Sequence, residues 1–330
     1  VTTVSADART LRTLADEPWV RFAVRRLGRL LVSVWVLVTA SFLMIHLIPG
    51  DPVRAALGPT APLSVVEARR QVMGLNDPVW LQYLHYLRDL LHGRLGESMT
   101  TGLPVSKVIG DRLPATLQLA VLAFVVAVAL SVPLGLLMAV LTRGGRRRPV
   151  ELGFTSTSVV LGAIPEFLIA VGLVYLFSVR LGWAPVAGRA GPDSFVLPVL
   201  ALSVGPAAVL ARIVRVETLT VLQADYIRTA RAKRLSQARI YLRHALPNAL
   251  TATITIGGLL LGALVAGTVL VENVFAWPGL GSSIVSSILS KDYSLVQGTV
   301  LVYGLGVLLV NLVVDIALAA LDPRSTIRES

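Results

Sequence analysis

Three groups of side chains stand out for the chemistry their types and placement imply. Two carboxylates, Glu166 and Asp315, lie inside long apolar runs, a basic segment extends from Arg228 to Arg243, and there are four histidines, His46, His85, His92 and His244. An ionisable group at membrane depth is costly and faces a bundle interior or a wet cavity. Glu166 directly follows Pro165, so it either lines a pathway or partners a backbone group freed by the proline. Asp315 precedes Asp322 and Arg324 and reads as structural or interfacial, with Asn311 as packing glue. The histidines are scattered, no His-Glu-x-x-His is present, and there is no cysteine, which removes thiolate zinc sites, Fe–S clusters and thiol nucleophiles. Neither Gly-x-x-x-x-Gly-Lys-Ser/Thr nor Gly-x-Ser-x-Gly occurs. The expectation is a non-catalytic chain with no catalytic residue, no metal ligand and no phosphate-cradling loop of its own.

The elements that must position these groups are apolar helices. Of 330 residues, 55% are hydrophobic and only 15% charged, and mean hydropathy is +0.74; soluble domains run nearer a quarter charged. The net charge of +11 does not imply nucleic acid, because aromatics are only 6% and the apolar residues come in long blocks. Crossing a hydrocarbon core takes about 20 apolar residues. Six segments qualify: Leu30 to Ile48, Ala115 to Leu141, Leu152 to Val179, Ser194 to Ala211, Leu250 to Val271 and Leu295 to Leu321. The fourth is the weakest, interrupted by Pro198, Gly205 and Pro206 and closed by Arg212 and Arg215, which are expected to snorkel. Pro133, Pro165 and Pro206 are expected kink sites. Gly257, Gly258, Gly262 and Gly267 permit close helix approach, within this chain or to a partner.

Basic residues flank every second connection: Arg21 to Arg29, Arg143 to Arg148, Arg228 to Arg243, and Arg324 with Arg328. The cytoplasmic side carries such an excess, so both termini and these two loops are expected there. The organisation is a cytoplasmic tail over 1–29, a six-helix domain over 30–321 and a tail over 322–330. Within the domain, 49–114 is a long external loop and 216–248 a cytoplasmic one. The first span reads as an uncleaved anchor, since Ile48 to Pro52 offers no Ala-x-Ala site. In the external loop, an aromatic-rich amphipathic helix starts at Asn76/Asp77, has Pro78 in its first turn and stops near Gly93. It either lies at the outer interface or packs on the bundle. The Trp277 to Gly281 stretch reads as a tight or re-entrant turn.

The segment from Gln223 to Asn248 reads as a pair of short surface helices. Asp225 opens the first, Ser236 caps the second, and Pro247 suits the first turn of the next span. Tyr226, Ile227 and Ala230 share one face while Arg228, Arg231 and Lys233 point elsewhere. By itself this pattern suits either a helix resting on lipid head groups or a handle for a partner.

Tyr226 to Leu235 followed by Arg243 to Ala249 resembles the coupling-loop signature of membrane subunits of binding-protein-dependent ABC importers. Further stretches are similar to the B-type permease of the dipeptide/oligopeptide/nickel branch. They are Pro49 to Pro52, Gly74 to Pro78, Arg112 to Leu117, Glu272 to Gly281, Asp292 to Gly298 and Leu321 to Arg324. The resemblance runs in order from about Arg26 to the C-terminus. It implies an all-α integral membrane protein with six transmembrane helices, type I ABC importer permease-like, carrying a cytoplasmic coupling helix pair. It also implies half of a translocation pathway for di- or oligopeptides or a related small solute. The implied partners are a C-type permease in a heterodimer, two ATP-binding subunits or domains that hold ATP and Mg, and an extracytoplasmic substrate-binding protein. No cofactor is implied for this chain, and the implied location is the cell membrane. Tyr226, Ile227, Thr229, Ala230, Arg231, Lys233, Arg234 and Leu235 become the ATPase-coupling residues, the helix sitting apolar side inward in a groove of the ATPase. The resemblance leaves the cargo open. The family's loop usually has Gly at the turn where this sequence has Arg234, and an acidic residue where it has Arg228. A self-contained secondary transporter or channel is the rival reading; it predicts internal repeats or charge rings, which the sequence lacks.

Overall fold

A computed structural model describes residues 18–47, 51–58, 60–72, 74–145 and 147–321. Most of the 1–29 tail, Pro49, Gly50, Arg146 and the 322–330 tail lie outside them. The described residues are helical apart from turns and one isolated bridge, Glu97 to Pro104. The helices are α1 (Pro18–Leu47), α2 (Pro52–Leu57), α3 (Leu63–Val72), α4 (Val79–Leu91), α5 (Val105–Thr142), α6 (Arg148–Ala163), α7 (Glu166–Leu173), α8 (Val196–Val221), α9 (Asp225–Ala232), α10 (Leu246–Val274), α11 (Leu280–Leu289) and α12 (Tyr293–Leu321).

Among the described residues, five helices are long and apolar enough to cross a membrane, and a sixth span exists if α6 and α7 count together. The kink expected at Pro165 is thus a full break in the third span rather than a bend in one continuous helix. The chain bends by 95° between Arg148–Ala163 and Glu166–Arg180. Proline disfavours helical angles in the residue before it, and Ile164 is extended at φ −75°, ψ 123°. Pro133 and Pro206 stay inside continuous helices. Beyond α7 the chain continues as a π-helical stretch, Val174–Arg180.

The fourth segment, weakest in the sequence for its short length and its interruptions, is the hub. In its most apolar window 67% of α8 is buried inside the chain, against 11% for α1 and for α12. Helices α5, α6, α7 and α10 all pack on it, while α1 lies against α12. Helix–helix contact in lipid depends on small residues and polar ties, and both occur here. A Cβ on Gly135 of α5 would come within 2.5 Å of the Ala211 carbonyl oxygen and 2.6 Å of Val214 Cβ. Gly258 and Gly262 of α10 meet Val314 and Asn311 of α12, so these two glycines serve packing within the chain.

α8 runs ten residues beyond the expected end, and Arg215 does not snorkel. It is buried, 2.6 Å from Glu151 of α6 and donating to Thr142 Oγ1 of α5 at 3.0 Å. Asp315 pairs with Arg26 at 2.5 Å, joining α12 to α1, in keeping with its structural reading. At the opposite end, Asp292 caps α12 through Leu295 N (3.2 Å) and accepts from Ser98 Oγ, Met99 N (3.1 Å) and Thr100 N (3.3 Å). One carboxylate thereby fastens the loop before α5 to the start of α12. In the long loop, Asp51 accepts from Val53 N and pairs with Arg70 at 2.8 Å. Burial alone would raise the Asp51 carboxyl, but the Arg70 guanidinium and backbone donors outweigh it and hold it below its ordinary value.

Gly135→Ala should disrupt the α5–α8 contact, since the added carbon meets backbone. Gly153→Ala, which meets nothing within 4 Å, should leave stability unchanged or slightly higher, because Ala favours helix by up to about 1 kcal/mol. Thermal unfolding of the detergent-solubilised protein should separate the two by several degrees.

Candidate functional site

α9 forms where Asp225 places a carboxylate in the first turn, favourable to the helix dipole. The helix ends in a Schellman cap: Leu235 N donates to Ala230 O at 3.3 Å and Arg234 N to Arg231 O at 2.9 Å. The cap needs a left-handed residue, and Arg234 supplies it at φ +56°. The turn that usually holds Gly therefore keeps its shape with Arg in place. The chain re-enters helix at Gln237–Arg239, where Ser236 Oγ accepts from Arg239 N at 3.4 Å, and passes through a π-helical stretch, Ile240–Ala245, straight into α10. The second of the expected short helices is therefore not separate but runs on into α10.

The eight sequence-predicted residues divide into two sets. Ile227 and Ala230 are buried with Leu222, Ile240 and Ala245, and Leu235 packs on that cluster. Arg231 donates from Nη2 to Leu222 O at 3.3 Å. These side chains bind α9 to the end of α8 and the start of α10. This corrects the expectation that the apolar side of α9 enters a partner's groove, because its own chain already covers that side. Tyr226, Thr229, Lys233 and Arg234 are exposed, as is Arg228, whose 3.3 Å pair with Asp225 is solvated on both sides and adds little. Partial burial pushes the Tyr226 phenol above its ordinary value, so it stays neutral and offers an O–H. The outward face of α9 is a short basic ledge with one aromatic ring at its N-terminal end.

Glu166 begins α7 beside the break, half-buried, facing α10 where Gly267 makes room: a Cβ there would stand 3.6 Å from Glu166 Oε1. Glu272, named from the sequence only as the start of a family stretch, does more at this end: it lies fully buried in the last turn of α10. It accepts from Thr116 Oγ1 of α5 at 2.7 Å and from Ser282 N at 3.1 Å, while Thr116 Oγ1 accepts from Leu280 N at 2.8 Å. A Cβ on Gly279 or Gly281 would overlap the carboxylate. Trp277 is fully buried, edge-on to Phe195 at 4.6 Å, with Nε1 donating to Ala115 O at 3.2 Å. The Glu272 to Gly281 stretch is thus a tight turn knotted to α5. The signal lay in the pair of glycines following a glutamate.

Residues 131–327 match the family described as "Binding-protein-dependent transport system inner membrane component", and residues 19–120 match the N-terminal component of the same system. The chain belongs to this family. The permease is 38% identical over 303 residues to the glutathione transport system permease protein GsiC of Escherichia coli strain K12, covering 92% of this chain and 97% of that one. The GsiC of Salmonella typhimurium strain LT2 is also 38% identical, over 302 residues. Among solved structures, an inward-facing conformation of the MetNI methionine ABC transporter superposes with a TM-score of 0.56 at 20% identity, over 66% of this chain and 97% of that one. This second likeness establishes the fold. The permease is a non-catalytic, multi-pass inner-membrane subunit of an ABC importer, which works with ATP-binding subunits and a substrate-binding protein.

Two substitutions test the local geometry. Arg234→Gly should stabilise the permease by about 1 kcal/mol, the cost of a left-handed residue bearing a Cβ, read as a higher unfolding midpoint. Thr116→Val removes both bonds of the Thr116 hydroxyl and leaves Glu272 short of a donor, at a cost of about 1–3 kcal/mol. Thr116→Ser should recover most of that loss in the same assay.

Proposed function

We propose that the permease forms one half of a peptide pathway and receives mechanical work from an ATP-binding subunit through the exposed ledge of α9. Tyr226, Thr229, Lys233 and Arg234 meet the ATPase, while Ile227, Ala230, Arg231 and Leu235 keep α9 rigidly attached to α8 and α10. The observation that carries this reading is that division: a basic face left free on a helix whose other face is locked into its own bundle. Nucleotide and Mg belong to the ATP-binding subunits, and this chain binds no cofactor. The second half of the pathway is a C-type permease in a heterodimer. Both termini, the 216–248 loop and the α5–α6 connection face the cytoplasm, as the basic flanks favour, and 49–114 faces outward. Glu166 lines the pathway beside the helix break.

The cargo is a di- or oligopeptide or a peptide-like solute. The relatives named for glutathione, itself a tripeptide, support that class.

In the reconstituted transporter, Lys233→Glu combined with Arg234→Ala should lower substrate-stimulated ATP hydrolysis and uptake together by about tenfold, as loss of key contacts at an interface does, with the folded permease still present. Unchanged stimulation would place the contact elsewhere. Calorimetry of the cognate binding protein should show binding of glutathione or short peptides; binding of saccharides alone would overturn the peptide reading.

A further inference from the structure

α4 divides into three faces. At 3.6 residues per turn, Trp80, Leu84, Leu87 and Leu91 fall within about 60° of one another. Gln82, Tyr83 and Tyr86 occupy a second face and meet α1: Tyr83 Oη lies 2.8 Å from Thr39 Oγ1, Gln82 Oε1 lies 3.2 Å from His46 Nε2, and the Tyr83 and Tyr86 rings stand 5.1 and 5.7 Å from Phe42. His85, Arg88 and Asp89 form the third, polar face. The helix packs on the bundle, yet most of its apolar stripe stays uncovered: Leu87 is partly buried, but Trp80 is 65% exposed, Leu84 51% and Leu91 88%.

The level at which α4 meets α1 identifies what covers the stripe. The α1 span is Val24–His46, and Thr39 lies seven residues inside its end, about 10 Å along the axis. α4 is therefore moored to the last two turns of a membrane-crossing helix, at the depth of the boundary between head groups and acyl chains. Within this mooring Leu43, and below it Val36 and Trp35, are exposed on α1, as expected where a membrane-crossing helix meets lipid. An interfacial helix buries its apolar face about 5–10 Å into that boundary and turns its charged face to water, and Trp is enriched at this level.

We propose that α4 is an interfacial membrane helix, whose Trp80, Leu84 and Leu91 lie in the lipid of the leaflet at the end of the bundle opposite α9, rather than on a protein partner. This inference is independent of the cargo and of the α9 contact.

The chain has no native cysteine, so single cysteines at Leu84, Leu91 and Arg88 can carry spin labels one at a time. The assembled transporter would be reconstituted in phosphatidylethanolamine/phosphatidylglycerol vesicles. Labels at 84 and 91 should collide with dissolved oxygen several-fold more, relative to a water-soluble nickel chelate, than the label at 88. Equal exposure of all three to nickel would overturn the proposal, and so would shielding of 84 and 91 from both probes, the result expected under a protein partner. A second measurement leaves the leucines intact: brominated acyl chains should quench the fluorescence that is lost in Trp80→Phe, and absence of quenching would also overturn the proposal.

Discussion

In lipid there is no hydrophobic pull to bring one apolar helix to another, so contact depends on close approach and on polar ties that have nowhere else to go. α8 is where both are concentrated. Gly135 lets α5 press against its backbone, and the buried Arg215 guanidinium, paired with the partly exposed Glu151 and bonded to Thr142, ties α8 to α5 and α6 at one level. An ion pair with one buried member contributes little net stability, yet removing Glu151 would leave the buried guanidinium short of its charge partner, which is costly. Its effect is to fix which faces meet. Because α9 is welded to the end of this same helix, the position of the basic ledge follows from the packing of the hub.

The far end of the bundle uses the opposite charge. Glu272 and Asp292 are carboxylates satisfied by hydroxyls and backbone N–H groups: Thr116 and Ser282 for one, Ser98, Met99, Thr100 and Leu295 for the other. Each joins a turn to a distant helix, so the connections at this end are held by polar donors as well as by the burial of Phe275, Trp277, Leu280 and Leu295. Arg189 adds to the Glu272 turn, donating to Gln118 at 2.6 Å with its guanidinium over the rings of Phe195 and Trp277.

The apolar runs made the helical class and the positions of the spans readable, and the motif order carried the family. What escaped was what depends on protein neighbours. The fourth segment read as the weakest because it is short, interrupted by Pro198, Gly205 and Pro206 and closed by arginines, features that suit lipid poorly, whereas α8 is surrounded by helices and accepts Pro206 and Arg215. Glu272 fell outside the fifth span for the same reason: a carboxylate looks like a loop residue until Thr116 is brought beside it. The helical period grouped Ile227 with Ala230 correctly but could not say whether they face a partner or their own chain. The break at Ile164 required knowing that Pro165, unlike Pro133 and Pro206, would end its helix rather than remain inside it.

That break has a mechanical corollary. α6 is held to α8 through Glu151, whereas α7 packs on both α8 and α10, its Glu166 turned toward Gly267. The two arms of the elbow therefore have unequal allegiances. A displacement of α10 relative to α8 would bear on α7 directly and reach α6 only across the extended residue Ile164.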